Sequence, residues 1–179
     1  MPGEIEQRDE FNRLLVYDNA NTVKVPLPPS ILLKRLHPEA SLPFRATPDS
    51  AGWDLSACLI SETGRPIKRL LSARTTISIP TGWALTPPRG FMTLILSRSG
   101  MAAATPSLFV ANSPGLIDPD YTGPINILLY NGGFNAAYVE HGQRIAQIIF
   151  IQHYSFPFTE VEALPSSERG ERGFGSSGS

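Results

Sequence analysis

A segment near the middle of the chain carries residue types that could activate a water molecule. Residues 112–123 read NSPGLIDPDYTG, with two carboxylates, Asp118 and Asp120, two positions apart. In a hairpin these carboxylates face the same side, and Pro119 between them restrains the backbone. A carboxylate held in this way next to Tyr121 could orient water for attack. A solvated surface turn explains the same composition, since Asp and Gly are common turn residues.

A second group, Ser97-Arg98-Ser99-Gly100, could bind an anion. It follows an apolar strand and precedes three alanines, so we predict a short helix over residues 99–104. An arginine, hydroxyl groups and backbone N–H groups at the start of a helix are suited to phosphate. An ordinary helix start with a solvated arginine explains the tetrapeptide alone equally well.

The C-terminal residues 166–179 form a third group. They are Ser, Gly, Arg and Glu with a single aromatic residue, Phe174, so they carry too little apolar surface to fold alone. Their arginines, hydroxyls and glycine N–H groups could wrap a polyphosphate while Phe174 stacks on a base. A disordered tail without a binding role is the alternative.

Short strands must position these three groups. From Ile31 onward, apolar segments alternate with turn sequences such as Thr47-Pro48-Asp49 and Asn131-Gly132-Gly133. This alternation of short apolar segments and turns is typical of an all-β barrel or sandwich, and the pattern alone does not choose between them. We predict strands over Ile31–Leu36, Trp53–Leu59, Arg74–Ile79, Gly82–Leu85, Met92–Leu96, Ile125–Tyr130, Ala137–Val139 and Ile145–Tyr154.

The composition divides the chain into three parts. Residues 1–29 end in a proline-rich stretch and are predicted to be a flexible or loosely docked extension, with a short helix over Glu4–Tyr17. Residues 30–165 contain the predicted strands and form the β domain. Residues 166–179 are predicted to be a mobile arm.

The composition also argues against several kinds of partner. The 179 residues carry a formal charge of −1 with a pI near 6.3, unlike a nucleic-acid coat or a polybasic membrane anchor. Cys58 is the only cysteine, so no intrachain disulfide can form. The sequence has no apolar run of about 18 residues and no signal peptide pattern. We expect an intracellular protein, cytoplasmic and/or nuclear, that binds neither nucleic acid nor membrane.

The order of the segments is more specific than any one of them. Five motifs follow one another along the chain: Ala51–Leu55 (AGWDL), Arg98–Gly100 (RSG), Gly115–Gly123 (GLIDPDYTG), Gly142–Gln147 (GQRIAQ) and Arg169–Gly178 (RGERGFGSSG). In this order they resemble the motifs of the trimeric dUTPase family, over about residues 30–179. The third and fifth motifs are the most specific.

The resemblance implies a fold, an assembly and a reaction. The fold would be a distorted jelly-roll β-barrel with one short helix and a flexible C-terminal arm that closes the active site. Three chains would form a homotrimer with its sites at the subunit contacts. The enzyme would be a dUTP diphosphatase, which hydrolyses dUTP to dUMP and pyrophosphate with Mg²⁺ by attack of water on the α-phosphate.

The family's nucleoside-binding roles map onto the central segment. Asp118 matches the carboxylate that orients the water and contacts the sugar 3′-OH. Tyr121 matches the aromatic residue that packs on the deoxyribose and excludes a 2′-OH. Asn112, Gly115 and the backbone around Asn126 match the hairpin that reads uracil and excludes a 5-methyl group.

The family's phosphate-binding roles map onto three other motifs. Contacts from a neighbouring subunit match Arg98, Ser99, Gly100 and Gln147. Contacts from the C-terminal arm match Arg169, Phe174, Gly175, Ser176 and Ser177. In the arm, Phe174 would stack on uracil and Arg169 would meet the γ-phosphate. Asp54 matches a carboxylate that supports the metal indirectly through water, since Mg²⁺ binds mainly to the triphosphate.

Some residues depart from the family pattern. Arg172 stands where glycine is usual, and Gln143 stands where Asp or Glu is common. Residues 1–29 have no counterpart in the minimal family and could contact a protein partner, so the alternative function is a dUTPase-like binding or signalling scaffold with secondary or lost catalysis. A dCTP deaminase shares the fold but needs a carboxylate base suited to the cytosine ring, and the sequence shows no candidate.

Overall fold

The structure is a computed structural model. It describes residues 30–105 and 107–170, together with the backbone of strands at 6–8, 14–17 and 23–24. No helix in these ranges is long and apolar enough to cross a membrane. The elements are β1 (Glu6–Arg8), β2 (Leu14–Tyr17), β3 (Val23–Lys24), β4 (Leu32–Arg35), β5 (Trp53–Ser56), β6 (Lys68–Leu71), β7 (Thr76–Thr86), β8 (Phe91–Leu96), α1 (Ser99–Ala104), β9 (Leu108–Val110), β10 (Gly115–Ile117), β11 (Pro124–Asn131), β12 (Ala137–Glu140) and β13 (Arg144–Gln152).

Two four-stranded antiparallel sheets form the body of the domain. The first sheet has the order β10-β8-β13-β5, and the second has the order β4-β7-β11-β9. Strands β12 and β6 form a separate pair, and β1, β2 and β3 form a small sheet of their own. The prediction of an all-β protein with one short helix is confirmed. The two main sheets do not join into a closed barrel within the described residues.

Apolar side chains from both main sheets form the core between them. Strand β11 alternates exposed and buried positions, as expected when one face of a sheet is packed and the other meets solvent. Its inward residues Ile125, Ile127 and Leu129 are almost completely buried, and they belong to one cluster with Ile79 of β7 and Ile148 of β13. This core holds in place the strands and turns that carry the predicted site residues.

Strand β7 is continuous where the sequence predicts two strands. It runs through Pro80 and Gly82, and its pairing with β11 shifts register between Pro124 and Asn126. Gly82 has a φ of +75°, and a Cβ atom on it would lie only 2.6 Å from the Ala40 side chain. This irregularity allows β7 to contain Pro80 and Gly82, which are typical turn residues, and to continue as one strand.

The N-terminal prediction is partly wrong. The expected helix over Glu4–Tyr17 is not formed at β1 or β2, which pair as antiparallel strands with Glu6 opposite Val16. Val16 and Tyr17 at the end of β2 favour extended backbone, and the pairing of β2 with β1 and β3 prevails over the weak helical spacing. The sequence also missed the short strands β6, β9 and β10, which have only three or four residues each.

Candidate active site

Five of the predicted site residues line one open groove of about 390 Å³. Strand β10 and the turns on either side of it supply four of them, and β11 supplies the fifth from an exposed position. The five are Asn112, Gly115, Asp118, Tyr121 and Asn126. Mostly apolar neighbours complete the walls, namely Ser78, Ile95, Leu116, Ile117, Pro124, Ile125 and Leu128. We call this surface the groove.

Gly115 allows the Asn112 side chain to lie against the groove. Gly115 is buried, and a Cβ atom on it would come within 3.1 Å of Asn112 Nδ2 and 3.5 Å of the Ile95 side chain. A larger residue would push the amide out of this position. An amide offers two donor hydrogens and a carbonyl acceptor, so its placement provides a group that can read the polar edge of a base.

The Tyr121 ring folds back over its own turn. Its hydroxyl donates to the Pro124 carbonyl at 3.0 Å, and its backbone N–H donates to the Asp118 carbonyl at 3.1 Å. A Cβ atom on Gly123 would lie 2.5 Å from the Tyr121 hydroxyl, so glycine leaves the space that this ring position needs. The ring and the Asp118 side chain are both exposed and both line the groove.

Asp54, Arg98 and Arg144 form a second site, which we call the cation cluster. Arg98 donates through Nε to Asp54 Oδ1 at 2.6 Å and through Nη2 to Oδ2 at 2.9 Å. Arg144 Nη1 donates to the same Oδ2 at 3.1 Å. The side chains of Asp54 and Arg98 are 17% exposed, whereas that of Arg144 is 48% exposed. Two guanidinium groups share one carboxylate, so one positive charge remains in excess for an anion such as phosphate.

A β-bulge brings Arg144 and Gln147 to the same face of β13. Residues three apart on a regular strand point to opposite faces, but the register of β13 against β5 shifts between Arg144 and Ala146. Arg144 therefore reaches the shared carboxylate, while Gln147 Nε2 donates to the Ser97 carbonyl at 3.0 Å. The family resemblance predicted a role for Gln147 but none for Arg144, and regular strand periodicity would not have placed the two on one face.

Ser99 and Gly100 begin helix α1 next to Arg98. Both residues are exposed, and no side chain caps the helix start. A Cβ atom on Gly100 would meet nothing within 4 Å, so protein atoms leave this position open. Gly52 differs, because a Cβ atom there would come within 3.0 Å of Gln147 Oε1. Glycine at position 52 therefore keeps the Gln147 amide in place.

The groove and the cation cluster lie apart within one chain. In the first sheet, β10 at the groove and β5 at Asp54 are the two opposite edges, with β8 and β13 between them. Neighbouring strands are about 4.8 Å apart, which separates β10 from β5 by about 14 Å. The structure therefore brings Asp118 together with Tyr121 and Asn112, but it does not bring Asp118 together with Asp54.

The predicted arm residues fall only partly within the described structure. Arg169 belongs to a turn in which the Gly170 N–H donates to the Ser167 carbonyl at 3.1 Å and to its hydroxyl at 3.0 Å. Four other arm residues lie outside the described residues, namely Phe174, Gly175, Ser176 and Ser177. Their roles remain predictions.

Comparison with known sequences identifies close relatives of the chain. A family model described as dUTPase matches residues 38–178. The chain is 40% identical over 148 residues to the deoxyuridine 5′-triphosphate nucleotidohydrolase of Helicobacter hepaticus, covering 83% of this chain and 88% of the relative. It is 38% identical over 148 residues to the enzyme of the same name from Dictyoglomus turgidum, covering 83% and 97%.

Comparison with solved structures supports the same relationship. The dUTPase of Staphylococcus bacteriophage 80alpha, solved with dUpNHpp, matches with a TM-score of 0.73 and 27% identity, covering 84% of this chain and 99% of that one. The dUTPase from phage phi11 of S. aureus, solved to show the coordination of a structural Mg(II) ion, has the same fold, with a TM-score of 0.67 at 20% identity over 76% and 99% of the two chains. The predicted jelly-roll fold is thereby confirmed. Because the family model matches residues 38–178 and the two relatives above are 38–40% identical to this chain over most of its length, the chain belongs to the dUTPase family.

Proposed function

We propose that the chain hydrolyses dUTP to dUMP and pyrophosphate, with Asp118 orienting the water that attacks the α-phosphate. Family membership supports the reaction, and the arrangement of the groove supports the residue. Asp118 is the one carboxylate among the residues that line the groove, and Asp120 is not among them. An exposed carboxylate can accept a hydrogen bond from a water molecule. This bond directs a lone pair of the water oxygen at the phosphorus.

The groove is suited to bind a deoxyuridine. Its volume of about 390 Å³ falls in the range of small-molecule sites, and its apolar walls can cover the faces of a pyrimidine. The Asn112 amide and the backbone around Asn126 would provide polar groups for the edge of the base. The Tyr121 ring, held over Gly123, would pack on the sugar and leave no space for a 2′-OH. This arrangement selects dUTP over UTP.

The cation cluster is suited to bind the phosphate groups. Asp54 engages Arg98 through two hydrogen bonds, which fixes the plane of the guanidinium before a ligand arrives. Charge stabilisation of this kind is most effective when the donors need not reorganise during the reaction. Ser99 and Gly100 add open backbone groups beside it. Gln147 contributes by binding the Ser97 carbonyl and thereby positioning the segment that carries Arg98.

The described side chains fit a Mg²⁺ ion that binds mainly to the triphosphate and arrives with it. Within residues 30–105 and 107–170, no group of three or more His, Cys, Asp or Glu side chains could hold a metal ion. Asp54 would contact waters of such an ion rather than the ion itself, because both its oxygens already accept guanidinium hydrogen bonds. When bound, Mg²⁺ would neutralise phosphate charge.

A homotrimer with shared active sites explains the separation of the groove from the cation cluster. A second chain could place its cluster opposite the groove of the first. Two unpaired apolar surfaces support association. Residues 154–164 expose the large apolar side chains Tyr154, Phe156, Phe158, Val161 and Leu164. A cleft of about 380 Å³ is lined by Ile31, Leu33, Leu42, Pro43, Trp53, Leu85, Ile148 and Phe150.

The C-terminal arm would complete each site by closing over bound nucleotide. Arg169 would reach the γ-phosphate, and Phe174 would stack on uracil, with Gly175, Ser176 and Ser177 along the phosphates. Closure of such a segment excludes water and completes the set of catalytic contacts. A protein partner for residues 1–29 and an intracellular location remain predictions. No contact in the described part of the chain favours the scaffold alternative.

Pyrophosphate release tests the assignment. We expect the wild-type protein with Mg²⁺ to release pyrophosphate from dUTP and not from UTP, dTTP or dCTP. Asp118→Asn should lower kcat by on the order of a hundredfold or more, because the amide no longer accepts the water's proton, and dUMP affinity should change little. Asp120→Asn is the matched control, since it removes a carboxylate two residues away that does not line the groove. An Asp118→Asn variant that keeps the wild-type kcat, as Asp120→Asn is expected to, would exclude Asp118 from the mechanism.

A further inference from the structure

Phe44 is an aromatic residue beside the cation cluster that the proposed mechanism does not use. Its backbone pairs with that of Asp54 in an isolated β-bridge. The Phe44 N–H donates to the Asp54 carbonyl at 3.0 Å, and the Asp54 N–H donates to the Phe44 carbonyl at 2.7 Å. Residues directly opposite each other in an antiparallel pair present their side chains on the same face. The Phe44 ring and the carboxylate shared by the cluster therefore lie on the same side of the sheet.

The guanidinium of Arg144 lies over the Phe44 ring. Its central carbon is 5.6 Å from the centre of the ring, within the distance at which an aromatic ring attracts a cation. The hydrogen bond from Arg144 Nη1 to Asp54 Oδ2 at 3.1 Å provides a second contact. Phe44 is 50% exposed and the Arg144 side chain is 48% exposed. The ring thus restrains Arg144 on one side and leaves its guanidinium accessible to a ligand.

Arg144 has more free donors for a phosphate than Arg98 has. A guanidinium carries five N–H donors. Within the described part of the chain, Arg98 uses three of them, two toward Asp54 and one toward the Arg144 carbonyl at 3.1 Å. Arg144 uses only one there. Arg98 therefore holds the cluster together, and Arg144 presents most of the donors that an incoming anion can use.

We infer that Phe44 is a positioning residue whose ring holds Arg144 ready to bind a phosphate group of the nucleotide. The inference rests on the proposed function, since it needs the cation cluster to meet phosphate. Ordering a long, exposed side chain during binding costs affinity, and the ring lowers this cost because it restrains the guanidinium before the ligand arrives. Phe44, Asp54 and Arg144 belong to one chain, so the ring acts on its own cluster whichever chain supplies the groove.

Phe44→Leu and Phe44→Tyr separate the effect of the ring from that of the space it fills. Leucine keeps an apolar side chain without a ring, and tyrosine keeps the ring. Calorimetry with pyrophosphate and Mg²⁺ measures binding at the cluster without a nucleoside. We expect Phe44→Leu to weaken pyrophosphate binding by about threefold and to raise KM for dUTP by a similar factor. The kcat should stay nearly unchanged, because the ring restrains Arg144 equally in the ground state and the transition state. Phe44→Tyr should keep the wild-type values.

A double-mutant cycle with Arg144→Gln tests whether the ring acts through this arginine. In the Arg144→Gln background, Phe44→Leu should have no further effect on pyrophosphate binding, because the guanidinium that the ring restrains is absent. An equal effect in both backgrounds would overturn the inference and indicate that the ring contacts a neighbouring chain instead. A Phe44→Leu protein with wild-type affinity for pyrophosphate would also overturn it.

Phe134→Leu is the matched control for removing a ring from an arginine. The centre of the Phe134 ring is 4.7 Å from the guanidinium carbon of Arg74, and neither residue belongs to the groove or the cation cluster. This variant should keep the wild-type pyrophosphate affinity and KM, and an equal change in both leucine variants would count against a specific role of Phe44. Failure of the proposed function would be recognised separately, as absence of pyrophosphate release from dUTP by the wild type, since the calorimetry does not depend on turnover.

Discussion

Gly123 determines where the Tyr121 ring lies, and the ring in turn shapes the groove. The family resemblance predicts a role for Tyr121, but the sequence does not give the direction of its side chain. That direction depends on a hydrogen bond to the Pro124 carbonyl and on an empty space at position 123. Both depend on how the turn meets β11, which is a tertiary arrangement.

Gly123→Ala should therefore reduce discrimination against the 2′-OH. The added methyl group would lie 2.5 Å from the Tyr121 hydroxyl and 2.6 Å from Cζ, so the end of the flexible side chain must move while the backbone stays in place. We expect the ratio of kcat/KM for dUTP to that for UTP to fall by about tenfold. Circular dichroism and thermal unfolding should show a folded protein.

Gly90→Ala is a useful comparison for that experiment. Gly90 has open space around its Cβ position but a positive φ, so its substitution strains the backbone without approaching Tyr121. If both glycine variants changed discrimination equally, a general loss of stability would explain the effect, and the position of the ring would not.

At the scale of elements, irregular strands place the residues that sequence periodicity separates. The bulge in β13 turns Arg144 and Gln147 to the same face, and the register shift between β7 and β11 carries β7 through Pro80 and Gly82. The predicted short strands and the helix over residues 99–104 are present because local patterns specify them. The bulges were not predictable, since they follow from how neighbouring strands fit together.

Asp54→Asn should separate the positioning of Arg98 from the attraction for phosphate. The variant removes a charge that holds two guanidinium groups, so Arg98 loses its fixed plane while the excess positive charge increases. We expect kcat for dUTP to fall by about tenfold, with pyrophosphate binding unchanged or tighter. Because the Asp54–Arg98 pair is only 17% exposed, the free energy of unfolding should also fall, by roughly 1–3 kcal/mol.

Glu140→Gln is the control for the predicted change in the free energy of unfolding of Asp54→Asn. It removes the ion pair between Lys68 and Glu140, whose side chains are 63% and 57% exposed, and exposed pairs of this kind contribute little. Urea titration of both variants measures the difference. An Asp54→Asn protein with wild-type kcat would show that Arg98 needs no carboxylate to hold it.

At the scale of the whole molecule, two apolar surfaces of the described chain are left uncovered. The aromatic residues of the 154–164 segment and the apolar cleft beside β4 and β5 are both without partners in the single chain. Contiguous exposed apolar surface is typical of interaction sites. The sequence could indicate a trimer only through the family resemblance, because a strand pattern does not say which surfaces meet another copy.

Light scattering after gel filtration should therefore report a trimer. Replacing Phe156 and Phe158 together with serine should shift the protein toward smaller species and lower the activity per chain, since both rings are more than three-quarters exposed in the single chain and lose apolar area in any contact. Replacing exposed Phe134 with serine is the control, because it removes a ring of equal size from another surface. A monomer with full activity would contradict shared sites.

The distance of about 14 Å between the two edges of the first sheet has a consequence for mixtures of defective chains. A chain with Asp118→Asn keeps an intact cation cluster, and a chain with Arg98→Gln keeps an intact groove. We expect each variant to be inactive by itself. If the proposed trimer shares its sites between chains, refolding the two variants together should give mixed trimers in which the intact groove of one chain meets the intact cluster of the other, and part of the activity should return. Two mutant copies in one cell would then complement each other, and a single defective copy would damage sites that its neighbours help to build.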